Sequence, residues 1–170
     1  MKRLLKIIDA ISEWTGRIFS WTIVVLAIFV ISEVFMRRVL NRPTIWNFEV
    51  TIQLYAFFFM IVAAYALLHK SHVAVDILYV KFSARTRAIL DLVSYIIFFF
   101  PFLWVILYEG LKYAANSWSM HEKSWSVFAP PLYPIKTVIP LMALLLIIQG
   151  LAIFIRQLCV AVKGEELCSN

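Results

Sequence analysis

At 170 residues, 63% of them hydrophobic and with a mean hydropathy of +0.87, the chain is too apolar for a soluble globular domain, where about half of the residues are apolar. The 16 basic and 10 acidic residues leave a net charge of +6, but the basic residues cluster beside apolar runs. That placement belongs to topology-setting loops and lipid headgroups, and it excludes a nucleic-acid partner. Cys159 and Cys168 form no C-x-x-C pair, Gly16, Gly110, Gly150 and Gly164 form no phosphate loop, and no G-x-S-x-G is present, so the sequence supports no catalytic residue and no enzyme activity.

In chain order, residues 2–15 come first. They place Leu4, Leu5, Ile7, Ile8, Ile11 and Trp14 on one helical side and Lys2, Arg3, Lys6, Asp9, Ser12 and Glu13 on the other. This pattern predicts an amphipathic helix at the headgroup boundary, with a bend at Gly16 before Arg17. No small-residue cleavage pattern follows the first span, so the N-terminus is expected to be retained. Four apolar windows follow, at 18–36, 50–68, 92–108 and 137–155. Each has the length of a membrane helix; the window 50–68 covers roughly 28 Å. Pro101 and Pro140 are expected to bend the third and fourth helices rather than end them. Residues 73–82 are apolar but too short to cross, which predicts an interfacial segment in the second connection. The connection from Lys112 to Lys136, with its Pro130-Pro131 break, is the longest and still too small for a soluble domain. The expected fold is an all-α integral membrane protein: four transmembrane helices, an N-terminal interfacial helix and short interfacial segments in the connections, forming one membrane domain over 1–170.

The polar residues of interest sit at span ends. Glu33 and Arg37 are four residues apart near the end of the first span, so they share a helical face and pair. A proton-coupled multidrug transporter would use such a carboxylate as its shared proton and cation site, but Arg37 and Arg38 beside it favour structural pairing. Trp46, Glu49 and Gln53 head the second span. Glu49 suits the helix dipole, Gln53 is placed to bond across to another helix, and Trp46 suits the interface. His69, His72 and Asp76 follow that span at i, i+3 and i+7. The spacing resembles a metal-ligand set, but the third histidine, His121, belongs to the opposite side. No metal site is therefore expected, and His72 and Asp76 are read as a local pair at a helix end. A haem-binding redox anchor would need histidines deep in facing spans, and these lie at edges.

Counting basic residues with the N-terminus inside gives ten on the inner side against six on the outer, the latter including Arg37, Arg38 and Arg42. Both termini are thus expected to be cytoplasmic.

Taken in order, these elements resemble the small membrane subunit of tripartite ATP-independent periplasmic (TRAP) transporters. The resemblance is carried by a first span ending in Glu33-Val-Phe-Met-Arg37-Arg38, by Trp46 and Glu49 opening the second, by His72-Val-Ala-Val-Asp76-Ile-Leu, and by Pro130, Tyr133 and Pro140 entering the fourth. It implies a bacterial inner-membrane scaffold subunit without cofactor or substrate site. Its implied partners are a large elevator-type membrane subunit that carries sodium ions and substrate, and a periplasmic protein that captures an organic acid. The overall resemblance leans toward a sialic-acid system. Glu33, Arg37, Trp46, Glu49, Gln53, His72 and Asp76 then become structural or partner-interface candidates.

Overall fold

The computed structural model describes residues 2–69 and 83–163, which are almost entirely helical. The helices are α1 (Lys2–Phe19), α2 (Thr22–Arg38), α3 (Asn47–Leu68), α4 (Ala84–Ser94), a π-helical stretch Tyr95–Phe99, α5 (Phe100–Ser119) and α6 (Tyr133–Lys163). A chain this apolar has no water to satisfy its backbone in lipid, so each segment closes its hydrogen bonds on itself. Four helical stretches are long and apolar enough to cross a membrane: Arg3–Arg38, Asn47–Leu68, Arg85–Ser119 and Tyr133–Val162. The segment 73–82, with His72 and Asp76, lies outside the described residues.

Three boundaries differ from expectation. α1 runs through Gly16 to Phe19, and the break falls at Ser20–Trp21. Gly16 serves close packing instead: a Cβ there would lie 2.2 Å from Cγ of Tyr65, so α1 and α3 touch almost backbone to ring. The third span is continued at both ends by helix, from Arg85 to Ser119. It absorbs Pro101 because the π-helical stretch just before it shifts the backbone register, with the Phe100 N–H reaching the Tyr95 carbonyl. The fourth helix likewise begins at Tyr133 and passes Pro140 without ending. The loop between α5 and α6 is therefore only 120–132.

α3 and α6 form the centre. α3 packs against α1, α2 and α6, and α6 also packs against α4 and α5. Contact residues along α3 run in reverse order through α2 and α1: Asn47 meets Phe29 and Glu33, Phe57 meets Phe19, Tyr65 approaches Gly16, and His69 meets Glu13. α1 and α2 together thus form one antiparallel partner of α3. The buried positions are mostly small or aliphatic: Ala64, Ala88, Ala114, Ala143, Ala152, Ile61 and Leu103. Small side chains let helices approach where lipid removes the usual hydrophobic drive. α2 has no buried residue.

Candidate functional sites at the two ends of α3

The first site lies at the N-terminal end of α3. Glu33 of α2 turns toward α3, with only 15% of its side chain exposed. Arg37 Nη2 donates to Glu33 Oε1 at 3.0 Å, and Thr44 Oγ1 donates to Oε2. Asn47, itself buried, donates from Nδ2 to the Phe29 carbonyl (2.9 Å) and to Glu33 Oε2 (3.3 Å), and its Oδ1 accepts from Thr51 Oγ1 at 3.1 Å. Asn41, at φ 51, turns the chain between α2 and α3, a conformation that asparagine tolerates. Trp46 precedes α3 and stacks edge-on against Phe29 at 5.9 Å.

One turn further along α3, the connection 120–132 folds onto the helix. Ser124 Oγ donates to Glu49 Oε1 at 3.0 Å, while Glu49 Oε2 is buried without a hydrogen bond among the described residues. Gln53 Nε2 donates to the Pro131 carbonyl at 3.4 Å. The loop is closed on itself by Ser124 N–H to Pro130 and Leu132 N–H to Glu122, both at 2.9 Å. At its base, Glu122 accepts from Lys136 and, at 2.8 Å, from Ser117 Oγ. The Lys136 ammonium first, and then the Ser117 hydroxyl, hold the Glu122 carboxyl below the usual carboxylate range. Lys136 also lies 4.0 Å over the Tyr113 ring, a cation–π contact that helps it stay charged while almost buried.

The second site lies at the other end of α3. His69 Nε2 meets Glu13 Oε2 at 2.7 Å, and Arg17 Nη2 donates to Glu13 Oε1 at 2.8 Å. His69 also tilts against Tyr65, with ring centroids 4.4 Å apart. Between α1 and α6, Gln149 is fully buried, and both ends of its amide are used: Ser12 Oγ donates to Oε1 at 2.7 Å and Nε2 donates to Asp9 Oδ1 at 3.2 Å. Arg156, two turns further along α6, closes the network on Asp9 Oδ2.

Of the sequence-predicted residues, the structure brings Glu33 and Arg37 together at one end of α3. It places Trp46, Glu49 and Gln53 along the same end, each against a different neighbour, and puts His121 beside Tyr133 there (6.1 Å between rings), far along the bundle from His69. The Asp9–Ser12–Gln149–Arg156 network was not among the predicted sites. Periodicity places Asp9 and Ser12 on the polar side of the N-terminal helix; in the structure Ser12 is buried, and Leu4, Ile7, Ile11 and Trp14 form the exposed stripe. The sequence signal for it is a lone amide, Gln149, inside the otherwise apolar window 137–155.

The chemistry of both sites is that of fastening. Carboxylates and amides at span ends meet cations, hydroxyls and amides of the same chain. Comparison with known families fits this. The family profile described as "Tripartite ATP-independent periplasmic transporters, DctQ component" matches residues 26–160, which include the first site and, from the second, His69, Gln149 and Arg156. No curated protein and no solved structure matches the chain. The match covers most of the sequence and all four candidate spans in whole or in part, and on it the chain belongs to the DctQ-component family of tripartite ATP-independent periplasmic transporters.

Proposed function

We propose that this chain is the fixed, non-catalytic membrane subunit of its transporter, scaffolding a large elevator-type subunit during sodium-coupled uptake of an organic acid delivered by a periplasmic binding protein. Family membership over residues 26–160 is the observation that carries this reading. The internal chemistry supports it. Glu33, Asn47 and Gln149 are each held by neighbours within the chain, and Glu49 Oε2 is the buried side-chain oxygen among the described residues that has no hydrogen bond. Burying these groups in pairs is tolerable in lipid, whereas leaving them open for transport would cost several kcal/mol each, by order of magnitude. α2 has no buried residue and offers lipid or a partner a largely apolar surface that ends at Arg37 and Arg38. Both termini are assigned to the cytoplasm and the chain to the bacterial inner membrane, on the distribution of basic residues and on the family. Sialic acids are the organic acids we favour, on resemblance alone.

The test is co-purification with the large membrane subunit and uptake in proteoliposomes. Transport should need this chain, the large subunit and the binding protein together; full uptake by the large subunit and binding protein without this chain would overturn the proposal. The competing assignment, a self-sufficient proton-coupled multidrug transporter using Glu33, predicts efflux by the purified chain alone and its loss in Glu33→Gln. The engagement of both Glu33 oxygens by Arg37, Thr44 and Asn47 weighs against it.

A further inference from the structure

Between α2 and α3, beside the Glu33 cluster, lies a cavity of about 390 Å³ that neither the fold nor the proposed scaffold role requires. Its walls are apolar, formed by Val30 and Val34 of α2 and Phe48 of α3. Val34 and Phe48 are 55% and 68% exposed, so the cavity opens sideways, toward the surrounding hydrocarbon. Its floor is Glu33 and Asn47, whose acceptor and donor groups are taken up within the chain. An occupant therefore meets no unfilled polar demand in the floor.

The rim is different. Arg37 and Arg38, at the end of α2, both line the cavity. The Arg37 side chain is 61% exposed and is shown giving Glu33 a single contact through Nη2. A guanidinium carries five N–H donors in a rigid fork, so most of that fork remains for a second anion. Arg38 adds a further cation, and Glu33 offsets only one of the two. An apolar, laterally open groove capped by a net positive rim at the end of a membrane helix fits a molecule with an anionic head and a hydrocarbon tail. A free organic acid or inorganic phosphate would satisfy the rim and leave the walls uncovered; a neutral lipid would do the reverse.

We propose that the α2–α3 cavity is a binding site for an anionic phospholipid, with the phosphate diester on Arg37 and Arg38 and one acyl chain along Val30, Val34 and Phe48. Arginine–phosphate contacts supply the polar share of the affinity, the net positive rim disfavours a head group that carries its own cation, and burial of the chain supplies the apolar share. The site belongs to this chain alone and does not depend on the scaffold reading.

The experiment is native mass spectrometry and lipid-dependent thermal shift on the purified full chain in detergent. It is titrated separately with phosphatidylglycerol, phosphatidylethanolamine and inorganic phosphate. Phosphatidylglycerol should bind about tenfold more tightly than phosphatidylethanolamine, whose ammonium offsets its phosphate and is repelled by Arg37 and Arg38. Arg38→Gln should remove that preference without changing the helical content or the elution volume. Val34→Trp, which fills the groove and leaves the rim intact, should weaken phosphatidylglycerol by a similar factor. Equal retention of the two lipids by the wild-type chain would overturn the proposal. So would a preference that survives both variants, which would mean lipid spread over the whole belt, or saturable inorganic phosphate binding that Arg38→Gln abolishes and Val34→Trp leaves intact, which would mean a small-anion site.

Discussion

The clusters around Glu33 and Gln149 solve the same problem with opposite wiring. Both place a polar group among apolar helices, where an unpartnered donor or acceptor is costly. Glu33 finds its partners nearby in the chain, at separations of 4, 11 and 14 residues. Gln149 finds its partners 137 and 140 residues away, and Arg156 reaches Asp9 across 147. The first cluster therefore shapes one helical hairpin, α2 to α3. The second joins the first helix to the last and closes the bundle. Local wiring survives perturbation elsewhere, whereas long-range wiring holds only if every helix between is correctly packed.

The hardest way to break this contrast is steric. Gly16→Ala puts a methyl group 2.2 Å from the Tyr65 ring carbon, forcing α1 off α3 and pulling Ser12 and Asp9 from Gln149. A loss of about 3 kcal/mol is expected, read by denaturant titration in mixed micelles. A variant as stable as the wild type would show that α1 is not clamped as described. Next is Arg156→Gln, which leaves Asp9 facing Gln149 without its cation. The pair is about a quarter exposed, so the expected cost is about 2 kcal/mol, below that of a fully buried pair. A double-mutant cycle with Asp9→Asn should recover most of it, and additive losses would deny the coupling. Glu33→Gln should cost less, about 1 kcal/mol, because a neutral amide oxygen still accepts from Thr44 and Asn47 and only the exposed Arg37 loses its charge partner. A larger loss for Glu33→Gln than for Arg156→Gln would invert the comparison.

The smallest effect concerns pH and the loop at the base of α6. Because the folded-state pKa of Glu122 is lowered by Lys136 and Ser117, its contribution is complete above the ordinary carboxylate range. It is lost as pH falls through that lowered value. The melting temperature of wild type should exceed that of Glu122→Gln at neutral pH and converge with it under acid. A gap unchanged at low pH would assign the loop's stability to packing alone.

The α1 helix shows where sequence reasoning and structure part. Its apolar and polar sides are plain in residues 2–15, but periodicity does not say which side faces in. In a soluble protein the apolar stripe enters the core. Here Leu4, Ile7, Ile11 and Trp14 point out, and Leu5, Ser12 and Gly16 point in, because hydrocarbon outside is as good a solvent for Leu as the bundle is, while Ser12 finds a hydrogen bond only inside. The same ambiguity hid Gln149. By contrast, the Glu33–Arg37 contact is visible from spacing alone, since four residues on one helix fix the geometry regardless of what packs around it. Glu49 and Gln53 fall between: their place at the head of α3 follows from sequence, but the loop residues Ser124 and Pro131 that meet them depend on how α5 and α6 return to that end.

The sequence by itself thus determined the helical class, four helices long and apolar enough to cross a membrane and the pairings that span one or two helical turns, because backbone satisfaction in lipid and helix geometry are local constraints. Tertiary structure alone decided which face of each helix turns inward, that Gly16 marks a close approach rather than a bend, and that Gln149 joins the two ends of the chain. Those outcomes depend on complementary shape and on polar partners brought together from opposite ends of 170 residues, and no local pattern encodes them.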